Sequence, residues 1–314
     1  MTERHLGLFR NVPAARPGLC RVCHSAPAED PGLHTAPAGS HAVPEGFRAI
    51  PEGFRAIPAE LGAAQEGAQA AREERRIARG EPHGPAHLCA GCLRTTAGLH
   101  RHTPHVVPVS LCARTGDDRR LYDLVTRRRP LPGEPDPGTL LAATVARFHR
   151  AHLRCLTRAA GGLFTLVTTV PGAGAERPVE AFDLLPRVVQ WVAGLRGLHR
   201  PVLMPGGDRA AETALARHVP DERAFHVLGH LGGERVLLLD ELFVTGARVQ
   251  SAAAALYRAG AEAVVALVVA RLADPWADTR LADAWARPYD FGRCCLCDPA
   301  ARLPPDTGRR VRPV

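Results

Sequence analysis

From His105 onward the chain alternates short continuous apolar runs with segments in which apolar residues return every three or four positions. Continuous apolar runs predict strands covered on both faces, and the three-to-four spacing predicts amphipathic helices. "HVVPVS" (105–110) and "LFTLVTTV" (163–170) read as strands, with "GTLLAATVARFHRAHLRCL" (138–156) as a helix between them. "VEAFDLLPRVVQWVAGLRGL" (179–198) reads as mostly helical, interrupted at Pro186. "PVLM" (201–204) reads as a short strand, "DRAAETALARHV" (208–219) as a helix and "RVLLLD" (235–240) as a strand. "RVQSAAAALYRAG" (248–260) then predicts a helix and "AVVALVVARL" (263–272) a strand. Strands alternating with helices predict an α/β domain over residues 105–297, built on a parallel sheet with helices on both faces. Ligands of such sheets sit outside the carboxyl ends of the strands, where Asp240 and Glu241 fall.

The first 104 residues lack this pattern and carry cysteine pairs instead. Cys20 and Cys23 lie in "CRVC", and Cys89 and Cys92 in "CAGC". Two residues between thiolates let both sulfurs face one ion, and two such knuckles complete a four-thiolate zinc site with no open position, hence structural. The alternative is a set of buried free thiols, because the gap from Cys23 to Cys89 exceeds the usual ribbon spacing. His83 and His87 are alternative zinc ligands or solvated loop residues. The gap itself reads as an insertion over about residues 25–86. "PEGFRAI" (44–50) is repeated unchanged at 51–57 within a Pro/Ala/Gly-rich tract, which marks a loop expansion and not a repeat array. Residues 59–80 have helix-forming composition with little apolar periodicity.

A third pair, Cys294 and Cys297 in "FGRCCLC", admits two accounts: partners for one of the N-terminal pairs, or buried thiols beside the last strand. Cys112 and Cys155 stand alone and read as core residues. Residues 298–314 read as a disordered tail.

Composition narrows the class. The 314 residues are 46% hydrophobic, enough for a core. All 40 basic residues are arginine, and the net charge of +8 suits a polyanionic partner, although nucleotide bias also supplies arginines. "TRRR" (126–129) reads as a solvated turn. No run approaches the roughly 18 apolar residues of a membrane span, and the N-terminus lacks the apolar core of a signal peptide. A cytoplasmic protein is therefore expected, in which cysteines are read for metal before disulfides.

The stretch "VLLLDELFVTGARVQS" (236–251) concentrates the chemistry. A greasy strand meets two carboxylates, then a Thr-Gly turn, then a helix start. The backbone N–H groups around Val244, Thr245, Gly246, Ala247 and Arg248, backed by the helix dipole, can hold a phosphate. Asp240 and Glu241 can accept hydrogen bonds from sugar hydroxyls nearby, and a ligand with both features is a ribose 5-phosphate.

This stretch resembles the phosphoribosyl-pyrophosphate (PRPP) motif of type I phosphoribosyltransferases: four apolar residues, two acidic, two variable, then Thr-Thr-Gly-x-Thr. Together with the cysteine pairs it resembles the competence protein F (ComF) family, of amidophosphoribosyltransferase-like type, especially its actinobacterial branch. The resemblance covers residues 15–23 and 86–297. It implies a type I phosphoribosyltransferase fold with a small N-terminal zinc ribbon. Asp240 and Glu241 would bind the ribose 2′- and 3′-hydroxyls or assist catalysis, with Val244 to Arg248 around the 5′-phosphate. Val244 and Arg248 stand where the family has threonine; Arg248 either binds phosphate more strongly or occludes the pocket. "TTVPGAGAERP" (168–178) aligns with the pyrophosphate loop, with Gly172, Ala173 and Gly174 in place of polar residues and Arg177 as the remaining pyrophosphate-binding side chain. The implied reaction transfers the phosphoribosyl group to a nitrogen acceptor and releases pyrophosphate, with Mg²⁺ carried on PRPP and Zn²⁺ structural. The alternative, from the family's link to DNA uptake, is a non-catalytic accessory protein with a degenerate PRPP site, contacting single-stranded DNA or the competence machinery.

Overall fold

The structure is a computed structural model that describes residues 2–14, 19–20, 22–24, 88–116, 118–127, 136–172, 184–274 and 279–297. All of them belong to one compact unit formed by Met1–Pro27 and Leu88–Val314. The insertion with its heptapeptide repeat and helical stretch, His83, His87, Arg177 and the tail after Cys297 lie outside the described residues. Among the described residues no helix is long and apolar enough to cross a membrane.

Four strands make the main sheet: β1 (Val106–Cys112), β2 (Leu166–Thr169), β5 (Arg235–Phe243) and β6 (Ala263–Leu272), in the order β1-β6-β5-β2 and all parallel. The fold is mixed α/β, as the alternation predicts. Strands β5 and β6 pair over their length, and their continuous Val/Leu/Ala runs follow from burial on both faces. Leu237, Leu239, Val265 and Leu267 enter one core, while Val236, Leu238, Val264 and Ala266 enter the other. Pro108 is tolerated because β1 is an edge strand.

The first core is roofed by α3 (Pro137–Ala159), a 23-residue helix started by Asp136, whose side chain accepts from the backbone N–H of Thr139, and by Pro137 at the first turn. Leu141, Val145, Phe148 and His152 recur along it at helical spacing, and all are buried. The second core lies beneath α7 (Ala247–Arg258) and contains the N-terminal cysteine pairs. Inside it Gln250 holds an otherwise irregular segment: its Oε1 accepts from Thr103 N–H and its Nε2 donates to the Thr103 carbonyl, both at 2.9 Å.

Four expectations change. "PVLM" does not join the parallel sheet; β3 (Leu203–Pro205) pairs antiparallel with β4 (Phe225–Val227) in a separate two-stranded sheet. Both strands are short and only partly buried, which suits antiparallel pairing with one face toward water. Pro186 does not interrupt its helix. It sits in the first turn of α4 (Leu184–Trp191), where its missing N–H costs no hydrogen bond, and the break comes at Val192, before α5 (Ala193–Arg196). Thr126 and Arg127 belong to a helix, α2 (Arg119–Arg127), and not to a turn, while Arg128 and Arg129 lie outside the described residues; Leu121, Leu124 and Val125 give the helix a buried face. Finally, β5 does not end at Asp240 but runs on to Phe243. The remaining helices are α1 (Ala90–Thr96), α6 (Arg209–Ala216) and α8 (Thr279–Ala286).

The N-terminal segment, with a 3-10 helix over Thr2–Leu8, packs Leu8 and Phe9 into the first core. It meets the C-terminal segment there: the Phe9 and Tyr289 rings are 5.4 Å apart, and Asn11 exchanges hydrogen bonds with the backbone of Asp290.

Candidate functional site

Strand β2 ends at Thr169, and the last bond to its neighbour runs from Val170 N–H to the Leu239 carbonyl. Among the described residues, β5 therefore has a strand partner on one side only from Asp240 on, and a cleft opens there. About 320 Å³ in volume, it is lined by Val125, Thr126, Val170, Gly172, Leu185, Pro186, Asp240, Glu241, Leu242 and Arg248. Asp240 and Glu241 thus share one cleft with Arg248, which comes from the first turn of α7. Val244, Thr245 and Gly246 form the turn between β5 and α7, Ala247 is the first residue of α7, and none of the four is among the lining residues. Arg248 contributes to the cleft lining, and its guanidinium carbon lies 5.9 Å from the Phe225 ring centroid.

Asp240 is 7% exposed, and its Oδ1 accepts from the backbone N–H of Glu241 at 2.9 Å. Burial pushes its carboxyl up to about 6; the Arg248 charge offsets part of that rise and the Glu241 charge adds to it. A buried acceptor next to a second carboxylate and across from a cation can hold a ligand carrying both hydroxyls and negative charge. The α7 N-terminus adds its dipole, and Gly246 gives it no side-chain cap; Thr245 Oγ1 accepts from Ala247 N–H at 3.4 Å.

Sequence reasoning missed the far wall, made of Val125 and Thr126 on α2 and Leu185 and Pro186 on α4. The spacing of Leu121, Leu124 and Val125 carries the signal for α2, but nothing in the sequence says that its end faces β5.

The N-terminal cysteine pairs meet. The ligand atoms of Cys20, Cys23, Cys89 and Cys92 all lie within 4.8 Å of one another, a group that could hold a metal ion such as zinc. Each pair forms a knuckle in which the amide of the second cysteine donates to the sulfur of the first, at 3.5 Å for Cys23 to Cys20 and for Cys92 to Cys89. His24 follows in the left-handed region, φ 59°, and its Nε2 meets the Val106 carbonyl at 2.9 Å, fixing the knuckle against β1. Cys89 doubles as N-cap of α1. Hydrogen bonds from Cys23, Cys89 and Cys92 hold the Cys20 thiol far below its ordinary range, while those with Cys20, Cys23 and Cys89 push Cys92 far above it. The pocket cannot carry four negative charges by itself, and a divalent cation removes that obstacle.

The third pair does not join either N-terminal pair; Cys294 is buried and Cys297 half-buried against the first core. Cys294 and Cys297 group with Cys155, read from the sequence as a lone core residue, and with His152. Cys112 is fully buried in the core, as expected.

No protein-family model and no curated protein matches this chain.

Proposed function

We propose that the cleft at the end of β5 binds PRPP or a related phosphorylated ribose and that the protein is a phosphoribosyltransferase of type I, ComF-like, with a zinc ribbon. The observation that carries this reading is that buried Asp240 and adjacent Glu241 line the same cleft as Arg248. Two neighbouring carboxylates suit the vicinal hydroxyls of a ribose, and a guanidinium at a helix N-terminus suits its phosphate. Thr126 could add a hydroxyl from the opposite wall. Magnesium would arrive on the pyrophosphate and neutralise the departing charge; Asp240 and Glu241 are the carboxylates of the cleft lining that could meet it.

Zinc suits the four-cysteine group. Tetrahedral Zn–S bonds of about 2.3 Å put sulfurs about 3.8 Å apart. The Cys23 and Cys89 sulfurs lie 3.5 Å apart, close to that spacing.

A second reading is a non-catalytic accessory protein that binds single-stranded DNA or a protein of the competence machinery. It is favoured by Gly172, which brings no side-chain donor to the cleft, and by Val244 in the turn. Isothermal titration of PRPP with Mg²⁺ into zinc-replete protein, beside a folded Asp240→Ala/Glu241→Ala variant, separates the two. Saturable binding lost in the variant, followed by pyrophosphate release with some acceptor, supports the transferase. No PRPP binding, with salt-dependent DNA affinity, selects the accessory protein.

A further inference from the structure

We propose that His152, Cys155, Cys294 and Cys297 form a second metal site, of the closed three-cysteine, one-histidine type, that staples the C-terminal segment to helix α3. Their ligand atoms lie within 4.8 Å of one another. The Cys294 and Cys297 sulfurs are 3.5 Å apart, and the Cys297 sulfur is 3.6 Å from His152 Nδ1. Those spacings match the edges of a tetrahedron about a zinc-sized ion and exceed a disulfide bond of about 2.05 Å.

Four further features look like the surroundings of a metal ligand set. His152 and Cys155 are three residues apart on one helix, so both side chains project from the same face. The backbone of α3 departs from helical geometry at His152, φ −118° and ψ 15°, with no proline to cause it. The other ring nitrogen, Nε2, is bonded to the Phe291 carbonyl at 2.8 Å, which makes it the protonated one and leaves the Nδ1 lone pair facing the sulfurs. The backbone N–H of Cys294 donates to Cys297 Sγ at 3.3 Å, as amides do to metal-bound thiolates. The intervening Cys295 is buried and points elsewhere, toward the Val106 carbonyl.

Four protein ligands leave no open position, so the role is structural. The stapled segment is the one that carries Tyr289 and Asp290 against Phe9 and Asn11. Metal at this site would therefore help secure the segments around Phe9 and Tyr289 to the first core. Cys155 and Cys297 are half-buried, whereas the four ribbon cysteines are all buried, so the second ion should exchange faster.

The test is metal stoichiometry on the full chain, purified reduced and zinc-replete, and is independent of the phosphoribosyl reading. Two zinc equivalents are expected in the wild type and one in Cys294→Ser/Cys297→Ser. One is also expected in Cys20→Ser/Cys23→Ser, the arm that reports on the ribbon separately. Cobalt(II) loaded into Cys20→Ser/Cys23→Ser should give tetrahedral d–d bands and thiolate-to-metal charge transfer, both lost on adding Cys155→Ser. Should Cys294→Ser/Cys297→Ser fail to fold, the cobalt spectrum of the ribbon variant still decides. A single equivalent in the wild type that disappears in Cys20→Ser/Cys23→Ser, or a ribbon variant that binds no cobalt through thiolates, overturns the proposal.

Discussion

Gly246 leaves β5 with φ 94°, and a Cβ placed on it would lie 2.8 Å from two carbons of the Phe243 ring. The turn that brings Arg248 to the cleft lining therefore depends on a missing side chain. A left-handed alanine costs about 1–2 kcal/mol and the ring clash a similar amount, so Gly246→Ala should lose about 3 kcal/mol. Thermal unfolding of Gly246→Ala, Phe243→Leu and the double variant checks this. The double variant should lose less than the sum of the singles, because leucine removes the ring that the new methyl meets.

Asp240 gives a pH-dependent prediction. Its folded pKa is raised to about 6 by burial, so its contribution to stability is fully present below about pH 4 and lost as pH rises through 6. Asp240→Asn is neutral throughout and should be more stable than wild type by up to about 3 kcal/mol at pH 8, with the gap closing by pH 4. Urea unfolding at the two pH values measures it. Equal stability differences at both would show that Asp240 is not the strained carboxylate described. PRPP affinity should fall as pH drops below 6, because a protonated Asp240 loses its acceptor strength.

Arg248 is coupled to the same carboxyl. Its charge lowers the Asp240 pKa, so Arg248→Ala should move the midpoint of the stability profile above pH 6. If Arg248 holds the phosphate, PRPP affinity falls roughly 10- to 100-fold, the range of one charge-assisted hydrogen bond. An unchanged affinity would place the phosphate elsewhere.

Gln250 tests the scaffold and not the chemistry. Both ends of its amide replace a sheet partner for Thr103, in a fully buried setting. Gln250→Leu keeps the volume but leaves two buried backbone groups unpaired, at about 1–3 kcal/mol each. Chemical denaturation should show a loss of about 2–5 kcal/mol, and Gln250→Glu should recover part of it at low pH, where a protonated carboxyl can both donate and accept.

Local pattern was enough wherever local physics decides. The apolar runs 235–240 and 263–272 read as strands buried on both faces, and the segments 138–156 and 248–260 read as helices, as they are in the fold. Adjacent Asp240 and Glu241 ahead of a Thr-Gly turn announced a polar site, and Cys-x-x-Cys spacing announced two knuckles across an insertion. Which knuckle meets which sulfur, by contrast, depends on contacts far apart in sequence. Cys297 approaches His152 across 145 positions because the last segment folds back over α3. The cleft likewise exists because β2 stops at Thr169 while β5 continues to Phe243, and because α2 and α4 close its far side. Strand lengths relative to one another and helix placement are set by packing of the whole sheet, so tertiary structure alone decided them.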